Sequence, residues 1–181
     1  VEIHTARMRA LELIQNAQNT ASTEFPAAQL TLEQSEGEMP TTVDDLQGTL
    51  QESRFRDMAA GRTLVGPHRT DMSGVFQRKG VMARDCSTGE QKALLISMIL
   101  ANARALKDQI GAAPLVLLDE VSAHLDSQRR AALYQEVYEL GAQAWMTGTW
   151  TLLKLSRAHI LKTVVAIEPF TGLGALTVIC Y

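Results

Sequence analysis

The residues best suited to chemistry are two adjacent carboxylates, Asp119 and Glu120, set directly after the apolar run Leu115, Val116, Leu117 and Leu118. Such a run predicts a strand buried on both faces, and ligands of open α/β sheets bind beyond the carboxyl tips of such strands. An acid there can hold Mg²⁺, directly or through water, while the next acid points at an attacking nucleophile. A helix-capping acid after a core strand uses the same residue types, so the pattern alone leaves both readings open. A second segment, Ser87-Thr88-Gly89-Glu90-Gln91-Lys92, opens a long amphipathic stretch. Ser87 and Glu90 have the S-x-x-E spacing of a capping box, which needs no ligand. The same small Ser-x-Gly entry leaves backbone N–H groups and the positive end of the helix dipole available to a phosphate. Third comes the short turn Ser122-Ala123-His124-Leu125-Asp126, in which Asp126 is placed as the N-cap of the next helix.

The elements that must position these residues follow from periodicity and punctuation. Helices are predicted over about Gly89–Lys107 and Ser127–Leu140, each followed by a glycine, Gly111 and Gly141, where a C-terminal cap belongs. Strands are predicted at Leu115–Leu118 and Ala144–Thr147, so helix and short strand alternate as in a largely parallel sheet. Thr163–Ile167 and Ala175–Ile179 read as a closing pair of edge strands, with Gly172 and Gly174 in the turn between them. Upstream, Thr63–Val65 and Met72–Phe76 read as short strands, and Gln77–Gly80 as the turn into Val81–Ala83. Residues 1 to about 61 read as mostly helical: Val1–Gln18, then a possible short strand at Leu30–Leu32. A loop, Glu33–Thr42, leads to a helix capped by Thr42 that carries Val43, Leu46 and Leu50. These residues offer no grouping of His, Cys or paired acids that points to chemistry.

The chain has 181 residues, 17 basic and 20 acidic side chains and a formal charge of −3. That length can bury a sizeable core, and no apolar run is long enough to cross a membrane. Two distant cysteines, Cys86 and Cys180, make neither a disulfide framework nor a metal motif, and fit thiols in a reducing, cytoplasmic setting. The total charge hides a partition: residues 1–53 carry a net −7, residues 54–92 a net +4, and the remainder balances. The basic stretch holds Arg54, Arg56, Arg62, Arg69, Arg78, Lys79 and Arg84 with few aromatics among them. If it meets nucleic acid, backbone phosphates are the natural partner rather than stacked bases; a solvated basic face is the plainer alternative.

Order and spacing join the three chemical segments: a Ser-x-Gly-x-Gln helix start, about thirty residues, a hydrophobic-Asp-Glu strand end, then S-x-H-L-D. This order resembles the signature motif, Walker B strand and D-loop of the ABC-type ATPase superfamily, in its SMC-like branch. The segment Leu64-Val65-Gly66-Pro67-His68-Arg69-Thr70-Asp71, about twenty residues before the signature motif, narrows the resemblance to the RecF family. So do Arg129, Arg130 and Leu133 after the D-loop, and Met146-Thr147-Gly148-Thr149, which resembles a family strand ending in T-G-T-D. The resemblance covers about residues 63–150. Two departures stand out. Trp150 occupies the place of the family's acid, and no G-x-x-x-x-G-K-[ST] loop occurs, so nothing cradles the β- and γ-phosphates. In the family that loop lies near the N-terminus, and the chain therefore reads as the C-terminal half of such a protein.

The resemblance implies an α/β fold: residues 63–181 as the C-terminal lobe of an ABC-type ATPase head, residues 1–62 as part of a helical arm. It implies Mg²⁺ at Asp119, water polarised by Glu120, and Ser87, Gly89 and Gln91 on the γ-phosphate of ATP bound by a partner subunit. Ser122, His124 and Asp126 would shape the dimer interface, and Thr147 and Thr149 would lie in the switch region. His68 and Arg69 are candidates for DNA or interlobe contact. The implied function is ATP-driven homodimerisation on gapped DNA and single-strand/double-strand junctions, with the mediators RecO and RecR, in recombinational repair, replication and the SOS response. Two alternatives remain: another SMC-like repair head, which would need a long heptad segment before the signature helix, and a non-enzymatic α/β binding module.

Overall fold

In a computed structural model, residues 1–119, 125–147, 163–167 and 176–180 are described. Helix α3, Thr88–Ile110, is the longest element and begins where its sequence dictates. Ser87 Oγ accepts from Glu90 N while the Glu90 carboxylate accepts from Ser87 N, a complete capping box, and Gly111 closes the helix at φ +73. Helix α2, Val43–Ala60, starts at Thr42, which accepts from Asp45 N, and helix α4, Ser127–Leu140, starts at Asp126. Helix α1 spans Glu2–Thr20.

The strands form two sheets. In the first, β1 (Ala28–Gln34), β2 (Thr70–Phe76) and β3 (Val81–Met82) are antiparallel, with Ala28 opposite Phe76 and Leu30 opposite Gly74. In the second, β4 (Val116–Leu118), β5 (Ala144–Thr147) and β6 (Thr163–Ile167) run parallel, and β7 (Leu176–Cys180) pairs antiparallel with β6. The α/β class and the mostly parallel sheet agree with the sequence reading. The pairing of β1 with β2 crosses the division expected at residues 62/63, and α1 packs on α3.

Three expectations change. Thr63–Val65 is not a strand. Two of its backbone groups are bound locally instead: Leu64 N donates to Asp57 Oδ1 at 3.0 Å, and the His68 ring meets Thr63 O at 2.9 Å. Gly66, at φ +139, then turns the chain into Pro67. Secondly, of the expected pair of edge strands β6 is interior among the described strands, and β7 lies at the edge, one residue later than expected. Thirdly, β4 is buried on one face only: Val116 and Leu118 are buried, whereas Leu117 is 68% exposed and Leu115 55%. Helices α3 and α4 both lie on the buried side. There Val116, Leu118, Ala144 and Met146 meet Ile96 and Leu100 of α3 and Leu133 and Val137 of α4. The turn glycines Gly172 and Gly174 lie outside the described residues.

One polar contact is built into this core. Glu136 of α4, 7% exposed, pairs with Arg104 of α3 and accepts from the Thr23 hydroxyl in the α1–β1 connection. Burial lowers the Arg104 pKa and pushes the nearby Tyr134 phenol up to about 12. Breaking one side of a buried pair leaves an uncompensated charge. Glu136→Ala is therefore expected to lower stability by about 3–5 kcal/mol in urea unfolding. A loss below about 1 kcal/mol would mean that the pair behaves as a solvated surface contact.

Candidate functional site

The N-terminal half of α3 and the tip of β4 line one groove. The groove, of about 300 Å³, is lined by Lys92, Leu95, Ile96 and Ile99 of α3 and by Leu117, Leu118 and Asp119 of the strand end. Asp119 follows β4 immediately, so the strand carries its carboxylate to the sheet's C-terminal rim, where ligands of such sheets gather. Lys92 stands one turn inside α3 from Gly89, which places a cation on the same groove as the acid. Asp119 is a hard oxygen donor of the kind Mg²⁺ takes. Among the described residues no group of three or more His, Cys, Asp or Glu could hold a metal. A cation there would take most of its ligands from water and phosphate, the usual habit of Mg²⁺.

At the α3 entry the Glu90 carboxylate accepts from Ser87 N at 3.1 Å and from Ser87 Oγ at 2.9 Å, and it pairs with Lys79 of the β2–β3 turn. The Lys79 ammonium, then the Ser87 donors, hold the Glu90 pKa down to about 2. Gln91 is exposed, but its amide is turned onto the segment before the helix. Its amide donates to Arg84 O at 3.0 Å and Cys86 O at 3.1 Å, tying α3 to the 3₁₀ turn Ala83–Asp85 before it. Nothing within 4 Å would meet a Cβ at Gly89, so its face of the helix is open.

Of the other residues singled out in the sequence, Asp126 caps α4 by accepting from Arg129 N at 2.8 Å and lies 3.8 Å from the Arg129 guanidinium. His68 and Arg69 lie in the 3₁₀ turn Pro67–Arg69, which has no buried residue but is tied to the fold by hydrogen bonds. Arg7 of α1 donates to Pro67 O, Gln34 to Gly66 O, and Ser35 N to Arg69 O. Thr147 is the last residue of β5. Glu120, Ser122, His124 and Thr149 lie outside the described residues, as does Trp150. Sequence reasoning did not pair Lys79 with Glu90. It had placed Lys79 in a basic turn, and no local spacing rule links a hairpin turn to a helix eleven residues on. Among the described residues no helix is long and apolar enough to cross a membrane.

The fold has close counterparts among solved structures. A structure of the recombination mediator protein RecF with an ATP analogue aligns at a TM-score of 0.62 and 21% identity, covering 93% of this chain and 45% of that one. RecF solved with ATP aligns at 0.59 and 22%, covering 91% and 44%. The chain thus shares the α/β fold of that part of these structures. No family model matches it. Its sequence is 48% identical over 151 residues to the DNA replication and repair protein RecF of Rhizobium rhizogenes, and 58% identical over 106 residues to that of Brucella abortus. The chain is homologous to the C-terminal part of RecF. It spans 40% of the Rhizobium protein's length and 28% of the Brucella protein's, and the first match takes in 80% of this chain.

Because Ser87 both caps α3 and grips Glu90, Ser87→Ala removes two contacts at one helix end. It should cost about 1 kcal/mol of stability in equilibrium unfolding at neutral pH. An unchanged midpoint would show that the box does not support the helix. Glu90 carries a depressed pKa, so its contribution is complete above its ordinary value of 4.5 and is lost as pH falls through about 2.

Proposed function

We propose that this chain is the C-terminal part of a RecF-type ATP-dependent DNA-binding protein acting in DNA replication and in the repair of single-strand gaps. The observation that carries the reading is the order of the two segments and their fixed placement, the capped entry of α3 and Asp119 at the tip of β4. Lys92 of the signature helix and Asp119 of the Walker B strand line one groove, in an order shared with the RecF resemblance. Homologues named for DNA replication and repair, and RecF structures solved with ATP and with an ATP analogue, support it.

In this reading Asp119 holds Mg²⁺ and Glu120 orients the attacking water. The bound nucleotide and cation supply the transferable phosphoryl group and its charge neutralisation. The chain's own part is positioning, as phosphoryl transfer requires. Ser87 and Gly89 face the γ-phosphate held by a second copy at a helix N-terminus: Gly89 brings a backbone N–H on an open face, and the Ser87 hydroxyl, which donates to Glu90, shapes the entry. Gln91, with its amide turned onto Arg84 O and Cys86 O, serves that segment by fixing its shape. Ser122, His124 and Asp126 lie at the dimer interface, and Thr147 and Thr149 in the switch region. ATP-driven pairing of two copies closes the protein on gapped DNA or a single-strand/double-strand junction, and hydrolysis releases it. The basic residues Arg54, Arg62, Arg78 and Arg84 meet the DNA backbone. RecO and RecR act with it in the cytoplasm, within the SOS response, and the solved RecF is itself described as part of a RecFOR pathway.

Glu120→Gln in a full-length protein carrying this sequence should keep ATP-driven dimerisation while steady-state turnover falls at least about a hundredfold, the lower range for losing a positioned general base. Turnover near the parent's would remove Glu120 from that role. The 181-residue chain has no phosphate-binding loop with its lysine. It should show no ATP binding in calorimetry, and tight binding would overturn the assignment of the phosphate cradle to a different segment.

A further inference from the structure

The α3 entry carries a contradiction. Its backbone N–H groups and dipole suit an anion, yet the chain already places one there, because the Glu90 carboxylate accepts from both Ser87 N and Ser87 Oγ. A polyphosphate approaching Ser87 and Gly89 would meet that negative charge at close range. The chain supplies its own counter-charge. Lys79, at the tip of the β2–β3 turn, pairs with Glu90, and its ammonium stands 5.9 Å from the centre of the Phe76 ring. Phe76 is buried and packs in one cluster with Leu94, one turn along α3 from Glu90.

The hairpin therefore grips α3 twice on neighbouring turns, through apolar contact at Phe76 and Leu94 and through charge at Lys79 and Glu90. Backbone bonds to Phe76 O from Lys79 N at 3.1 Å and Gly80 N at 2.8 Å fix the turn. Gly80 takes a φ of +65, which favours glycine there. The ring under the ammonium narrows where the lysine can go. An ordinary surface lysine has no such support.

We propose that Lys79 is a positioning residue for the signature segment. It cancels the Glu90 charge and holds the Ser87–Glu90 box closed, so that Ser87 and Gly89 face an incoming phosphate of a nucleotide without a repelling carboxylate. This rests on the reading of Ser87 and Gly89 as the residues that meet the nucleotide of a second copy. The depressed Glu90 pKa is consistent with it, since Lys79 is the largest cause.

The test uses a full-length chimaera in which this chain replaces the matching 151-residue part of Rhizobium rhizogenes RecF, with ATP-driven dimerisation followed by sedimentation velocity. Lys79→Ala should weaken the dimer about fivefold, the upper range for an exposed pair, and Lys79→Arg should not. Glu90→Gln should dimerise as well as the parent or better, because glutamine also closes a capping box. The double variant Lys79→Ala/Glu90→Gln should recover the parent's dimerisation, since no uncompensated carboxylate remains. A Lys79→Ala loss that Glu90→Gln does not rescue would mean that Lys79 only anchors the hairpin, and overturns the proposal. So does an unchanged Lys79→Ala dimer.

Ser87→Arg separates the two levels. If it abolishes dimerisation while Lys79→Ala has no effect, the role of Lys79 alone falls. If Ser87→Arg dimerises normally, the reading beneath it falls as well. In the 181-residue chain itself, an NMR titration should find the Glu90 carboxyl near 2 and raised toward its ordinary value by Lys79→Ala. An unmoved value would show that the pair is not formed in solution.

Discussion

The described structure depends on the burial of α3 between its neighbours. Ala93, Ile96, Leu100 and Ala103 close the core under the parallel sheet, Leu94 and Met98 meet the antiparallel sheet, and Ala101 and Ala105 receive α1. A helix packed on so many sides must carry small residues where backbones approach. The alanines at 93, 101 and 103 are almost fully buried. Because α3 cannot rotate without breaking all three contacts, its N-terminus is fixed relative to the tip of β4. That constraint sets Lys92 and Asp119 on one groove and fixes the spacing of the two segments that, in the proposed dimer, serve two different sites.

The polar contacts reinforce the same helix from both ends. At its start, the capping box and Lys79 settle the backbone donors and the charge of Glu90. Arg104 reaches the buried Glu136 of α4, and Lys107 donates to Leu140 O at 2.7 Å, so the final turns of α3 and α4 are joined. An exposed ion pair contributes little by itself, and a buried one chiefly penalises its own disruption. Their service here is to hold one geometry. In the proposed phosphoryl transfer, where a protein does little covalent chemistry, geometry is most of what it can contribute.

Much of this was legible in the sequence because the determinants are local. Ser87 and Glu90, Thr42 and Asp45, and Asp126 marked helix starts, and Gly111 and Gly141 marked ends. Four apolar residues before Asp119 marked β4. What the sequence hid depends on partners far along the chain. Leu30 and Gly74 become neighbours only through pairing of β1 with β2, and Thr63–Val65 loses its strand because Asp57 and His68 take two of its backbone groups. Leu117 reads as core by type, yet faces outward because α3 and α4 share the opposite side. Lys79 reads as one of several bases in a turn, and its pairing with Glu90 needs the fold.

In the proposed dimer a working site is shared between two copies, Ser87 and Gly89 from one and Asp119 and Glu120 from the other. The most direct measurement mixes two full-length variants carrying this sequence, Ser87→Arg and Asp119→Ala, each inactive alone, and follows ATP turnover. Shared sites predict that the mixture regains activity neither variant has, because a mixed dimer assembles one site from the intact half of each. A mixture as inactive as its components, in which mixed dimers are shown to form, would contradict the claim.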